Sequence, residues 1–327
     1  RPPRSTLFPY TTLFRSTGNR YIKVVKGSSL SDWARSQPNV IPLPCGNCIG
    51  CRLERSKQWA IRCVHEASLY EDNMFITLTF NDSYVSKQRS LDKEDFQKFM
   101  KRVRKWRDEN LWNLKEERYE RRWRPLSTFG MHEITRYFHC GEYGEKFSRP
   151  HHHACVFNLD FKDKVLWDTR GGVRLYRSKT LEKLWPYGYS TIGDVTYDSA
   201  AYVARYITKK INGPKAEEHY DGRQPEYTTM SRRPGIGKGW YDRYGKDVYS
   251  KDEVAIKRNG KVIIVKPPRY YDKLVERSDP GRYEEVKKER REKAKENPNN
   301  KEERLKCRNE ITIRRYKRMK RRFEDEA

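Results

Sequence analysis

Three short stretches carry side chains whose types and spacing could act on a phosphodiester. The first is Pro150-His151-His152-His153. Entering a strand, alternation puts His151 and His153 on one face and His152 on the other. Two imidazoles so spaced, about 6–7 Å apart at Cα, can hold one metal ion between them. The second is Glu142, in HCGEYG just upstream. If the two stretches pair as a hairpin, its carboxylate completes a His/His site. Nitrogen and carboxylate ligands with open positions suit Mg²⁺ or Mn²⁺ that must also hold a phosphate. The third is AAYVARYITKK, where Tyr202 and Tyr206 stand i and i+4 on a predicted helix and Lys209 lies one turn beyond. Tyrosine hydroxyls beside a metal and a lysine fit attack on a phosphodiester to give a phosphotyrosine. Each stretch also has a plainer reading, as structural histidines, a solvated turn glutamate or core tyrosines. Their joint occurrence is what points to chemistry.

The elements that must position them follow from periodicity. Trp59, Ala60, Cys63, Val64 and Ala67 predict an amphipathic helix from Leu53 to about Tyr70. Met74 to Phe80 (MFITLTF) reads as a buried strand closed by a turn at Asn81-Asp82. Leu91, Phe96, Phe99, Met100 and Val103 share one face of a helix whose other face is basic. His132 to Gly144 and His151 to Leu159 read as strands. Ser178 caps a helix to Trp185, Tyr189 to Val195 is a strand, and Asp198-Ser199 caps a helix from Ala200 to about Ile211. The order β-α-β-β-α-β-α predicts an α+β core: a central antiparallel sheet with helices on one face.

The chain has 327 residues with 71 Lys and Arg against 45 Asp and Glu, a net charge of +26. That excess points to a polyanionic partner, most simply nucleic acid. The 22 Tyr and 8 Trp add flat surfaces on which bases can stack. No stretch approaches the roughly 18 apolar residues of a membrane span, and no apolar signal-peptide core stands near the start. The positive charge flanking the predicted site is densest at Lys101 to Arg107, Arg118 to Arg124 and Arg232 to Lys238. Lys101, Arg102, Arg232, Arg233 and Lys238 are the candidate DNA contacts, the last three in the basic loop RRPGIGKGW.

Taken in order, FITLTF, PHHH and YVARYITK resemble the three motifs of the HUH superfamily of rolling-circle replication initiators, and YxxxYxxK resembles its two-tyrosine branch. CGNCIGCRLERSKQWAIRC, RYFHCGEYGEKFSRPHHHA, STIGDVTYDSAAYVARYITKK and EYTTMSRRPGIGKGW are similar to the replication initiation proteins of gokushoviruses, small single-stranded DNA phages of the Microviridae. The similarity covers roughly residues 40–275. It implies a Rep-like, RRM-like nuclease core. It implies His151 and His153 as metal ligands with Glu142 a third, Tyr202 and Tyr206 as nucleophiles, and Lys209 as the basic helper. It further implies metal-dependent nicking of origin DNA to a 5′-phosphotyrosine and later rejoining, in the host bacterial cytoplasm, with a host polymerase and, as no P-loop is present, a host helicase. One departure is His152, where the family usually has a bulky apolar residue. Two alternatives are a transposase or relaxase of the same superfamily, against which YxxxY argues, and a non-enzymatic single-strand-binding protein.

Cys45, Cys48 and Cys51 follow C-x₂-C-x₂-C, which in a cytosolic protein reads as metal binding rather than disulfide. Structural zinc takes four ligands, and three are present; an iron–sulfur cluster is the alternative. Arg1 to Ser16 resembles a translated sequencing adapter and is expected to lack regular structure. The remaining organisation reads as a Cys-rich segment and helix (17–72), the nuclease core (73–215), an irregular basic Gly/Tyr/Arg-rich extension (216–275) and a charged tail (276–327) that is helical at best.

Overall fold

The computed structural model describes residues 48–86, 88–116, 134–144, 147–205, 210–211, 215–258, 260–300 and 302–317, together with three short strands at 11–15, 21–26 and 42–43. These strands, β1 (Thr11–Arg15), β2 (Tyr21–Lys26) and β3 (Pro42–Leu43), form a small sheet of their own. The leader was expected to lack regular structure. Thr11–Arg15 instead pairs antiparallel with β2, as its Thr, Leu and Phe content allows.

The main sheet has seven strands. They are β4 (Asn73–Thr79), β5 (Arg136–Tyr143), β6 (Pro150–Phe157), β7 (Val165–Arg170), β8 (Val173–Arg177), β9 (Ser190–Gly193) and β10 (Tyr227–Met230). Their order is β10-β5-β6-β4-β9-β8-β7, and every neighbouring pair is antiparallel. This is the α+β antiparallel core that the strand and helix periods predict. The hairpin β7–β8 carries mixed, largely exposed side chains with no clean alternation, so the periodicity did not reveal it.

Helices cover both faces, where one was expected. On one face α2 (Lys93–Glu116) and α3 (Lys179–Leu184) bury Phe96, Phe99, Val103, Leu181 and Leu184 against Met74, Ile76, Leu78, Ala154 and Val156. On the other, α1 (Ile49–Ala67) and α4 (Tyr197–Arg205) pack Ala60, Cys63, Ala200 and Val203 on Phe75, Phe138, Cys155 and Phe157. The central strands explain this. β4, β5 and β6 are buried at nearly every position, so both their faces need apolar cover.

The C-terminal region is ordered rather than irregular. It comprises α5 (Lys215–Tyr220), β10, α6 (Lys238–Lys251), the hairpin β11 (Val254–Arg258) and β12 (Lys261–Val265), α7 (Arg269–Ser278), α8 (Pro280–Glu296) and α9 (Glu302–Lys317). Val248, Tyr249, Val254, Ile256, Tyr271, Val275 and Val286 form a second core, completed by Ile61 from α1. Arg290 on α8 ties this unit together through Asp252 and Asp272. Its apolar residues are too widely spaced along the chain to show a local period.

Candidate functional site

The site lies where β5, β6 and β4 run side by side. β5 and β6 pair Glu142 with His151 and Cys140 with His153. Directly opposed residues share a face, so Glu142, His151 and His153 converge on the side covered by α1 and α4. One ligand atom from each lies within 4.8 Å of the others. His153 and Glu142 are fully buried and His151 half-buried, so among the described residues the cluster opens past His151. Nε2 of His153 lies within hydrogen-bond distance of Glu142 Oε1, at 2.9 Å. Thr77, opposite His153 on β4, hydrogen-bonds its Nδ1 at 3.0 Å. Thr77 thereby fixes the ring so that Nε2 faces the carboxylate. This is the supporting contact expected behind a metal-bound imidazole. The period of TLT in β4 put Thr77 on a face, but only strand pairing brought it to His153.

Gly144 makes room for the cluster. A Cβ there would lie 2.8 Å from Cε1 of His151, so the glycine ending HCGEYG is required for the ring's position.

His152 points the other way and behaves as the bulky residue expected at its position. It is fully buried, with ring centroids 5.6 Å from Trp185 and 5.7 Å from Phe80. Its Nδ1 lies 3.1 Å from Nε2 of His139, which stacks on Phe96 with centroids 3.6 Å apart. Burial, then the neighbouring imidazoles, pull the His152 pKa down to about 3, so it is a neutral core residue at ordinary pH.

Tyr202 belongs to the same face. Its ring meets His153 edge-on at 5.3 Å and Phe75 at 6.2 Å, and the Arg205 guanidinium stands 5.9 Å over it. The residue is buried, 2% exposed. α1 braces this helix through Ser56 Oγ, which donates to the carbonyl of Ala201 at 2.9 Å, and is itself seated on β5 by Trp59 stacked on Phe138. Tyr206 and Lys209 lie outside the described residues, as do Cys45 and Arg118 to Arg124. Cys48 caps α1, its Sγ accepting from the amide of Cys51 at 3.5 Å.

The candidate DNA contacts are scattered. Lys101 is exposed on α2, on the layer opposite the cluster. Arg102 turns inward, donating through Nε to the carbonyl of Leu184 at 2.8 Å. Arg232 and Arg233 are exposed, while Lys238 is ion-paired with Asp242. The loop that carries them is held from below. Glu66 accepts from the amide of Gly237 at 2.6 Å and is ion-paired with buried Arg136, which donates to the carbonyl of Pro234 at 2.7 Å. Arg62 donates to the carbonyl of Ile236 at 3.0 Å, sandwiched between the Trp59 and Tyr270 rings. The Gly237 amide therefore serves Glu66 rather than a phosphate. Isolated charged positions in α1 and β5 gave no sequence signal for this clamp.

An antiparallel α+β sheet with a His/His/Glu cluster beside a tyrosine-bearing helix, in a chain of charge +26, marks a class of protein suited by charge to a polyanionic partner. The comparisons narrow the class. The profile of the family "Replication-associated protein ORF2/G2P" matches residues 73–211, the span from β4 past α4. The chain is 35% identical over 254 residues to replication-associated protein VP4 of Bdellovibrio phage phiMH2K, covering 77% of this chain and 73% of that protein. It is 34% identical over 261 residues to replication-associated protein ORF2 of Spiroplasma virus 4, with 77% and 73% covered. It is 30% identical over 202 residues to replication-associated protein ORF4 of Chlamydia phage 1, covering 60% of this chain and 45% of that protein. The chain belongs to this family of phage replication-associated proteins, the gokushovirus group its motifs resemble. No solved structure matches it.

Proposed function

We propose that this protein starts phage DNA replication by nicking and rejoining single-stranded origin DNA in the host cytoplasm. The observation that carries the reading is the convergence of Glu142, His151 and His153 on one buried face, with the Tyr202 ring against His153. The donor set fits a hard divalent cation: one carboxylate, two imidazoles and an open side past His151. Glu142, His151 and His153 would hold Mg²⁺ or Mn²⁺, which when bound polarises a phosphate oxygen as a Lewis acid.

Tyr202 and Tyr206 supply the nucleophiles. The phenol oxygen of one attacks phosphorus, the bond from phosphorus to the 3′ oxygen breaks, and that oxygen leaves as a 3′-OH. The proton lost by the phenol is balanced by the one gained at the 3′ oxygen. The product is a 5′-phosphotyrosine. Lys209 and Arg205 offset the charge that builds on the phosphate. A host polymerase extends the 3′-OH and a host helicase separates the strands. The second tyrosine cleaves the regenerated origin, and the released 3′-OH attacks the first phosphotyrosine to close a circle. Cys45, Cys48 and Cys51 are proposed ligands of a structural zinc at the head of α1, the helix that braces α4.

The test is an adduct assay with the single-stranded phage genome and Mn²⁺. A covalent protein–DNA species should survive denaturing gels and vanish in the Tyr202→Phe, Tyr206→Phe double variant. An adduct from that variant would place the nucleophile elsewhere. Tight binding without any adduct from the unaltered protein would favour a non-enzymatic single-strand-binding protein.

A further inference from the structure

We infer that Tyr189 forms a base-stacking subsite for single-stranded DNA beside the Glu142/His151/His153 cluster, an inference that rests on the nicking reading above. Strand register carries the residue there. β4 and β9 pair Thr77 with Thr191 and Leu78 with Ser190. One step further, the amide of Thr79 donates to the carbonyl of Tyr189 at 2.9 Å, so Tyr189 stands opposite Thr79. Thr79 stands opposite His151 on β6. Opposed residues share a face, and His151, Thr79 and Tyr189 therefore form a row across three strands. Two inter-strand steps put Tyr189 about 10 Å from His151 at Cα.

The local chain is built to hold it so. At Gly188 the backbone presses on β4. A Cβ there would overlap the Thr79 carbonyl oxygen and lie 2.6 Å from the amide nitrogen of Asn81. On one side of this kink Tyr187 turns to the α2/α3 face, where it packs on Trp185 at 5.0 Å between ring centroids and receives Arg102. On the other side Tyr189 is left on the metal face, 57% exposed, while Thr79 beside it is only 7% exposed. Of the two tyrosines flanking Gly188, one is used in the core and the other is presented to solvent beside the cluster. Arg149 reaches the same end of β4, donating to the carbonyl of Phe80 at 3.0 Å and ion-paired with Asp82, and so fastens the strand end beside this row. An exposed aromatic ring in the same cross-strand row as a phosphate-directed cluster takes a nucleobase by stacking, which tolerates any base. Tyr189 would then hold a nucleotide near the scissile phosphate without reading its sequence.

The experiment measures binding of the full chain to a labelled single-stranded oligonucleotide carrying 2-aminopurine, in chelator, where no cleavage can occur. Tyr189→Ala should weaken binding by roughly 5- to 150-fold, the range for one lost base–aromatic stack, and abolish the stacking quench. Tyr189→Phe and Tyr189→Trp should keep both, and affinity for duplex DNA should not change. Wild-type affinity and quench in Tyr189→Ala would overturn the subsite. So would Tyr189→Phe behaving like Tyr189→Ala, because the hydroxyl would then be what matters. Since this readout needs no metal, failure of the adduct assay would remove the nicking reading and leave the stacking result to be judged separately.

Discussion

Tyr202 meets His153 edge to face, with ring centroids 5.3 Å apart and planes at 89°. The contact joins a helix to the strand that carries both histidines, so whatever places α4 also places the tyrosine against the cluster. Tyr202 thus has two separable roles, packing and chemistry. Tyr202→Phe keeps the ring and should change stability by less than about 1.5 kcal/mol, while removing any DNA adduct at this position. Tyr202→Ala should cost about 3–5 kcal/mol as well, the usual loss for a large aromatic core side chain. Thermal unfolding and peptide mass spectrometry of the adduct check the two effects.

Removing the paired imidazoles should separate cleavage from binding. His151→Ala with His153→Ala is expected to abolish adduct formation and spare most DNA affinity, because affinity comes from Lys and Arg through counterion release. Binding measured over a salt series, beside the adduct gel, decides it. Unchanged cleavage would end the metal reading.

Thr77 offers a subtler change. Thr77→Val keeps the shape and removes the partner of His153 Nδ1. Mn²⁺ affinity by calorimetry should fall about 10- to 100-fold, as when a supporting hydrogen bond behind a metal ligand is lost. Unaltered Mn²⁺ affinity would show that Thr77 does not orient the ring.

Glu66 and Arg136 form a buried ion pair under the basic loop. Glu66→Ala leaves a buried guanidinium uncompensated and orphans the Gly237 amide, and should destabilise by about 3–5 kcal/mol. The double variant Glu66→Leu, Arg136→Met should recover part of that loss. Denaturant unfolding measures both.

Acid should weaken the C-terminal unit through His65. This buried imidazole stacks on Trp240 at 3.6 Å between centroids and hydrogen-bonds the Tyr271 hydroxyl at 2.9 Å. Burial pulls its pKa down to about 3, against an ordinary value near 6.5. The folded state favours the neutral ring. Its contribution is therefore complete above about pH 6.5 and is lost as the pH falls toward 3. The thermal midpoint should drop across that window. His65→Gln should start lower and fall less steeply, with buried His139 and His152 supplying the remaining slope.

Much of the site could be read from spacing alone. The two-residue period of a strand is local, so PHHH by itself sent His151 and His153 to one face and His152 to the other. Helical period put Tyr202 on a helix beside the site, and the central strands β4, β5, β6 and β9 followed from β-branched and aromatic runs, while β7, β8 and β10 did not. Charge and aromatic content pointed to nucleic acid. What needed the tertiary structure was everything set by pairing between distant segments. Glu142 meets His151 only through the β5–β6 register, and Thr77 meets His153 only through β4–β6. Tyr189 joins the row through a hydrogen bond to Thr79, 110 residues away. Ile61 completes a core with Val275, so the C-terminal region has order that no local period announces. Arg102 and Lys238, alike in sequence to any surface cation, are turned to a helix carbonyl and an aspartate. Periodicity reports which face a residue occupies; register and long-range packing decide what it finds there.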